Sequence, residues 1–185
     1  GCVPSKALIK SAKVAQMIRE ADHYGLESAT PRYDFRKLMA RVYSAIAAIE
    51  PNDSVERYTG LGVDVVEGTA TLVDPWTVEI ARNDGQSQRL SARSIIIATG
   101  AAPFIPPIPG IENSGYLTSD SLWGEMAKRD QVPARLVVLG GGPIGCELAQ
   151  SFARLGSKVT LVEMAANVLL REDADVSALA AEALE

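Results

Sequence analysis

A run of glycines between two apolar segments constrains the fold of this chain more than any other feature. Glycines stand at 140, 142 and 145, after the apolar run Arg135–Leu139 and at the start of Pro143–Leu155. Apolar residues recur through Pro143–Leu155 at helical spacing, and a second apolar run, Lys158–Glu163, follows. Strand, glycine turn, helix and strand in this order predict a parallel βαβ unit, and therefore an α/β fold class.

The residue types of this turn are those that a dinucleotide requires. Gly140 permits the tight turn out of the strand, Gly142 lets the backbone approach a pyrophosphate, and Gly145 lets the helix pack closely on the sheet. Pro143 and Ile144 are the first residues of the predicted helix. Its N-terminus offers unpaired N–H groups and a partial positive charge to the phosphates. A glycine-rich turn that serves packing alone is the alternative.

An acidic residue ends the second strand of this unit. Glu163 lies within the interval of about 20 residues at which such an acid accepts hydrogen bonds from the adenosine ribose 2′-hydroxyl. It would repel a 2′-phosphate, and the nearest downstream arginine is Arg171. We therefore predict NADH rather than NADPH, with a solvated acid at the end of a strand as the alternative.

The rest of the chain divides into a helical part and a part with a period of two. Helices are predicted at Val3–His23, Asp34–Glu50, Asp53–Gly60, Ser119–Lys128 and Asp173–Glu185, with Asp34 as an N-cap. Strands are predicted at Val63–Val66, Thr69–Val73, Trp76–Ala81, Gln86–Ala92 and, as a strand buried on both faces, Ser94–Ala98. The proline-rich segment Ala101–Gly110 is the predicted boundary between domains.

Composition excludes several functional classes. Apolar residues make up 47% of 185 residues, enough for a packed core, and the net charge of −5 provides no basic footprint for nucleic acid. No apolar run reaches the roughly 18 residues of a membrane helix. Two cysteines are too few for a secreted disulfide scaffold, which favours a cytoplasmic protein. We predict no metal site, no membrane partner and no nucleic-acid partner.

One cysteine stands at the start of a predicted helix. Cys2 is followed one turn later by Lys6, and the helix N-terminus and the ammonium group together favour a thiolate. Such a thiolate is a candidate nucleophile or electron donor, although an inert cysteine is the alternative from these residues alone. Cys146 is predicted to be a small buried helix residue, and the only histidine, His23, a surface residue.

Three segments carry a resemblance to a known family. They are Gly-Cys-Val-Pro-Ser-Lys at residues 1–6, Ile-Ile-Ile-Ala-Thr-Gly at 95–100 and Gly-Gly-Gly-Pro-Ile-Gly-Cys-Glu-Leu-Ala at 140–149. Together they resemble the class I pyridine nucleotide-disulfide oxidoreductases, the family of dihydrolipoamide dehydrogenase, glutathione reductase and mercuric reductase. The resemblance covers the whole chain. It implies Rossmann-like FAD- and NAD(P)-binding domains, an antiparallel three-stranded meander in the FAD domain, and a parent homodimer.

The resemblance also implies roles for individual residues. Cys2 matches the flavin-side cysteine of a Cys-x4-Cys disulfide, whose partner would lie four residues before the first residue of this chain. Lys6 matches the lysine beside the flavin, and Glu147 matches the acid that pairs with it. Thr99 and Gly100 match the residues that close the flavin domain beside the cofactor.

The resemblance implies a division of the chain and a reaction. Residues 1–110 would be part of the FAD-binding domain and 111–185 the N-terminal part of the NAD(H)-binding domain, with both ends cut from a longer protein. The expected parent passes electrons between NAD(H), FAD and a redox-active disulfide, and we expect dihydrolipoamide dehydrogenase-like chemistry on a small or lipoyl-type substrate. A mercuric reductase-like enzyme, a flavin enzyme without the disulfide, and a non-catalytic dinucleotide-binding fragment are the alternatives.

Overall fold

The computed structural model describes residues 2–185, and they fall into two compact units. One unit combines the chain up to Ala48 with Ile105–Glu185, and the other is Ile49–Phe104. The helices are α1 (Cys2–Arg19), α2 (Phe35–Ile49), α3 (Val55–Gly60), α4 (Leu122–Ala127), α5 (Pro143–Arg154) and α6 (Ala174–Glu182). The strands are β1 (Gly68–Asp74), β2 (Thr77–Arg82), β3 (Ser87–Ser91), β4 (Arg135–Leu139) and β5 (Lys158–Val162). In these residues no helix is both long and apolar enough to cross a membrane.

The discontinuous unit is held together by one apolar core. The first helix, α1, packs against α5, and the buried face of α2 joins them. Asp34 accepts hydrogen bonds from the N–H groups of Arg36 and Lys37, which confirms it as the N-cap of α2. The core residues are Ala7, Leu8, Ala12, Ala15, Phe35, Leu38, Met39, Val42, Leu122, Met126, Phe152 and Leu155.

The predicted βαβ unit is present in the same unit of the structure. Strands β4 and β5 pair in parallel from Arg135 opposite Lys158 to Leu139 opposite Val162, and α5 connects them. At the C-terminal end of α5, Arg154 and Leu155 have carbonyl groups that accept hydrogen bonds from the side chains of Arg19 and Tyr33. These bonds satisfy two of the carbonyl groups that the end of a helix leaves unpaired. The C-terminal end of α5 is therefore tied to the last residue of α1 and to the segment before α2.

The second unit contains the antiparallel meander. Strands β1, β2 and β3 lie in that order in one sheet, and Ile80 of β2 is its buried residue. Asp74 accepts a hydrogen bond from the N–H of Trp76 in the first turn, and Gly85 adopts a left-handed φ of +84° in the second. Both turns lie where Asp74-Pro75 and Asn83-Asp84-Gly85 predicted them.

The sequence prediction of a strand is wrong at two places. Neither Val63–Val66 nor Ser94–Ala98 is a strand, and Ile96 and Ile97 are 90% and 68% exposed. A strand buried on both faces requires neighbouring strands that accept its hydrogen bonds. Within residues 2–185 no strand pairs with either segment. The predicted helix Val3–His23 is also shorter, because α1 ends at Arg19 and a 3₁₀ turn, Ala21–Tyr24, follows it.

Candidate active site

Two positions of the glycine turn require glycine, Gly140 because of its backbone conformation and Gly145 because of a close contact. Gly140 leaves β4 with a φ of +106°, which favours glycine, and its N–H donates to the carbonyl oxygen of Val162 at 2.8 Å. A Cβ on Gly145 would lie 1.9 Å from the carbonyl oxygen of Gly140. Glycine at 145 therefore allows the first turn of α5 to approach the end of β4.

Gly142 is different, because nothing in the protein requires a glycine there. Its φ of −73° and ψ of 177° are extended backbone, the conformation that a following proline favours. A Cβ on Gly142 would meet no atom within 4 Å. It is the N-cap of α5, ahead of Pro143 at the first helical position and the exposed Ile144. The free space beside it fits a phosphate group that approaches the backbone closely.

Glu163 folds back onto this turn. One carboxylate oxygen accepts a hydrogen bond from the N–H of Ala165 at 2.8 Å, and the other from the N–H of Gly141 at 2.6 Å. These two bonds, the one from Ala165 first, lower the pKa of Glu163, so the carboxylate is ionised at neutral pH. Each oxygen retains a further lone pair. A contact between Glu163 and a ribose hydroxyl remains a prediction.

The sequence reasoning missed Gly141 and the segment that covers it. The carbonyl oxygen of Gly141 accepts a hydrogen bond from the N–H of Leu169 at 2.8 Å, and a Cβ on Gly141 would lie 2.9 Å from Cγ1 of Val168. Leu169 has a φ of +52°, and no other non-glycine residue in the described chain has a positive φ. That conformation costs roughly 1–2 kcal/mol for an L-residue. The signal in the sequence was a fourth glycine, Gly141, at a position that the motif leaves open to any residue.

The structure brings Lys6 and Glu147 together. The packing of α1 on α5 places the ammonium group of Lys6 against Oε1 of Glu147, where it donates a hydrogen bond. The two side chains are 59% and 36% exposed. An exposed ion pair of this kind contributes about 0–1 kcal/mol to stability, so its position is more informative than its energy.

Five of the predicted site residues line one cavity, and two of them, Pro143 and Ile144, are the first residues of α5. Its volume is about 370 Å³, which lies within the range of small-molecule sites. The lining residues are Cys2, Ser5, Lys6, Ser119, Trp123, Pro143, Ile144, Glu147 and Leu148. A larger groove of about 490 Å³ between α1 and α2 contains none of the predicted site residues. We therefore take the smaller cavity as the candidate active site.

The remaining predicted residues lie elsewhere. Thr99 and Gly100 belong to the unit Ile49–Phe104, and their role beside a flavin stays a prediction. Cys146 is half-buried in α5, and burial, followed by the charge of Glu163, raises the pKa of its thiol. His23 is exposed in the 3₁₀ turn after α1. The division into domains at residue 110 also stays a prediction, because the compact units are defined by packing and not by the cofactor that they hold.

The fold and the glycine turn place the chain among α/β proteins with a Rossmann-like nucleotide-binding unit. The chain belongs to the pyridine nucleotide-disulphide oxidoreductase family, whose sequence profile matches residues 1–185. The family identified from the three sequence segments is thereby confirmed.

Individual relatives agree with this assignment. A mercuric reductase of Streptomyces lividans is 38% identical over 183 residues, which cover 96% of this chain and 37% of that protein. A dihydrolipoyl dehydrogenase of Bacillus subtilis (strain 168) is 34% identical over 185 residues, which cover 96% of this chain and 38% of that protein. The solved structure of the HOCl-induced flavoprotein disulfide reductase of Escherichia coli superposes with a TM-score of 0.73 at 29% identity, covering 100% of this chain and 37% of that one. The chain thus spans little more than a third of the length of these relatives.

Proposed function

We propose that the protein carrying this chain is a flavin-dependent oxidoreductase that passes electrons between NAD(H), FAD and a redox-active disulfide. The supporting observation is the shared cavity, in which Cys2, Lys6 and Glu147 meet the N-terminus of α5. A cysteine, a cation and a dinucleotide-binding helix are the parts that this chemistry needs within one site. Membership of the family supports the same conclusion.

Each part of the cavity then has a role in the proposal. Bound FAD would supply the electron-transfer chemistry that links NADH to the disulfide. Cys2 contributes one sulfur of that disulfide. Lys6 places a positive charge where negative charge develops during reduction, and Glu147 holds the ammonium group in place through their ion pair.

The dinucleotide-binding residues complete the proposal. The N-terminus of α5 at Gly142 binds the pyrophosphate of NADH, and Glu163 binds the adenosine ribose. Thr99 and Gly100 contact the flavin. The parent enzyme is a cytoplasmic homodimer.

The substrate that we propose is a small or lipoyl-type disulfide or dithiol. Mercuric ion is the second candidate, favoured by the 38% identity with the mercuric reductase of Streptomyces lividans. Two activity assays distinguish these substrates. One measures the reduction of NAD⁺ by dihydrolipoamide, and the other measures the oxidation of NADH or NADPH in the presence of mercuric ion. Turnover with dihydrolipoamide alone supports the first candidate, and turnover with mercuric ion alone supports the second.

The absorption spectrum tests the proposed function directly. The protein is expressed from its natural reading frame and its spectrum is recorded before and after anaerobic addition of NADH. We expect a flavin spectrum that gains a long-wavelength charge-transfer band on reduction, because a thiolate of Cys2 then lies against the flavin. A flavin that bleaches without this band contradicts the disulfide and favours an oxidase. A protein that binds NADH but no flavin is a dinucleotide-binding module.

The two cysteines provide a matched comparison for this experiment. We expect Cys2→Ser to abolish the band and Cys146→Ser to retain it. The thiol of Cys146 donates a hydrogen bond to the carbonyl oxygen of Gly141 at 3.3 Å, and a serine hydroxyl retains a donor there. A band that survives in Cys2→Ser would remove Cys2 from the proposed site.

A further inference from the structure

The peptide groups on both sides of Gly141 are fixed by one short segment. The N–H of Gly141 donates to Glu163, and its carbonyl oxygen accepts from the N–H of Leu169 at 2.8 Å and, at 3.3 Å, from the thiol of Cys146 in α5, which is the weaker donor of the two. Glu163 and Leu169 both belong to residues 163–169, directly after β5, which we call the strap. Gly141 is buried beneath the strap, whereas its neighbour Gly142 is exposed. The strap therefore determines how the backbone enters α5.

The planarity of the peptide bond transmits this constraint to Gly142. A trans peptide is planar, so its C=O and N–H point in opposite directions. The C=O of Gly141 and the N–H of Gly142 belong to the same peptide group. The hydrogen bond from Leu169 to Gly141 therefore turns the N–H of Gly142 away from the strap. This N–H is one of the donors for which α5 itself provides no acceptor.

The strap contains a residue in a backbone conformation that its side chain disfavours. A leucine disfavours the left-handed φ of +52° that Leu169 adopts. The N–H of Leu169 is bound to Gly141, and its carbonyl oxygen accepts from the N–H of Glu172 at 2.8 Å. The carbonyl of Val168 accepts from the hydroxyl of the buried Ser177 in α6. Strain that the surroundings maintain in this way is characteristic of positions where conformation serves function.

We propose that Leu169 is a positioning residue: its backbone N–H fixes the carbonyl of Gly141 and thereby aims the N–H of Gly142 at the pyrophosphate of the bound dinucleotide. This inference rests on the proposed function, because it takes NADH as the ligand of the turn. It also explains why residue 141 is glycine, although the motif Gly-x-Gly-x-x-Gly accepts any residue at that position. The Cβ of any other residue at 141 would meet side-chain atoms of Val168 and Glu163 in the strap, and these would have to shift.

Two substitutions at Leu169 separate the backbone contact from the leucine side chain and its strain. Leu169→Gly keeps the N–H and adopts a positive φ readily, whereas Leu169→Pro removes the N–H and fixes φ near −65°. We expect Leu169→Pro to raise the dissociation constant for NADH roughly tenfold or more, and Leu169→Gly to change it by less than about threefold. The limiting rate of flavin reduction should change little in either variant, because the positions of the reacting groups are kept. Dissociation constants for ADP-ribose, which contains the pyrophosphate without the nicotinamide, should follow those for NADH.

A second pair of variants keeps the inference testable if Leu169→Pro does not fold. Gly141→Ala introduces a Cβ 2.9 Å from Cγ1 of Val168, and adding Val168→Ala removes that neighbour. We expect the single variant to bind NADH more weakly and the double variant to recover part of the affinity, since contacts with Glu163 at 3.1 and 3.2 Å remain. Wild-type affinity in Leu169→Pro, or in Gly141→Ala if Leu169→Pro is unfolded, would overturn the role of the strap and leave the proposed function intact. A wild-type protein that does not bind NADH would overturn the proposed function itself.

Discussion

The two sides of the candidate active site are built differently. On one side, the glycine turn is fixed by backbone hydrogen bonds and by close contacts that admit no Cβ at Gly141 or Gly145. On the other side, Cys2 is exposed and Lys6 is positioned by a single exposed ion pair with Glu147. The geometry of the turn therefore depends on the backbone conformation, whereas the chemistry of the cysteine side depends on the side chains of Cys2, Lys6 and Glu147. Substitutions on the two sides should consequently affect different properties.

The largest effect that we expect is a loss of stability on the turn side. In Gly145→Ala the new Cβ would lie 1.9 Å from the carbonyl oxygen and 3.1 Å from the carbonyl carbon of Gly140. Because those atoms are backbone, β4 and α5 must move apart. Overpacking of this kind costs about 3 kcal/mol. In a chain of 185 residues that lowers the midpoint of thermal unfolding by roughly 6–12 °C, which calorimetry measures.

Gly142→Ala is the matched control within the same turn. Its Cβ would enter free space, and the backbone conformation of residue 142 suits alanine. We expect stability to change by less than about 0.5 kcal/mol. NADH binding should nevertheless weaken, because the methyl group occupies the space proposed for the pyrophosphate. Equal losses of stability in Gly142→Ala and Gly145→Ala would contradict the distinction between a packing glycine and a binding glycine.

The same difference explains what the sequence could predict. The turn needs glycine at 140 and 145 for its own conformation, and the motif has glycine at 142 for a ligand. These needs show in the residue types, so the turn and its flanking strands were predicted from the sequence alone. The contact between Lys6 and Glu147 joins residues 141 positions apart, and no local pattern contains it. It was expected only because both residues match a family.

Two other features show where sequence patterns fail. The apolar run Ser94–Ala98 has the composition of a buried strand, but pairing depends on neighbours that a local pattern does not reveal. The strap was missed for a related reason. The contact from Leu169 to Gly141 is made by backbone atoms and depends on a left-handed φ, which nothing in the residue type leucine indicates.

On the cysteine side we expect a large effect on reaction and a small effect on stability. Lys6→Ala removes the cation of the cavity, so reduction of the flavin by NADH should slow by roughly tenfold or more in anaerobic stopped-flow measurements. The free energy of unfolding should change by less than about 1 kcal/mol, because the ion pair with Glu147 is exposed. Unchanged reduction kinetics would remove Lys6 from the proposed mechanism.

Lys13→Ala is the appropriate control for this experiment. Lys13 is an exposed lysine of the same helix, outside the cavity, and in residues 2–185 it forms no ion pair. Its replacement changes the net charge by the same amount. A similar slowing in both variants would indicate a general effect of charge on α1, and slowing in Lys6→Ala alone would locate the effect at the cavity.

The smallest effect concerns the pH dependence of the turn. Hydrogen bonds from Ala165 and Gly141 lower the pKa of Glu163 in the folded protein, so the unfolded chain binds this proton more tightly. The stabilisation is therefore fully present above the ordinary pKa of a glutamate, about 4.3, and is lost as the pH falls through the lower pKa of the folded state. The thermal midpoint of Glu163→Gln should lie below that of the wild type at neutral pH, and the gap should close in acid. Glu172→Gln is the control for the loss of one negative charge near the turn, since Glu172 is exposed and its carboxylate accepts no hydrogen bond in the described part of the chain. If the thermal midpoints of Glu163→Gln and the wild type differ equally at neutral and acid pH, the charge of the carboxylate does not stabilise the turn. The glycine turn and the cysteine side of the site would then differ less than their contacts indicate.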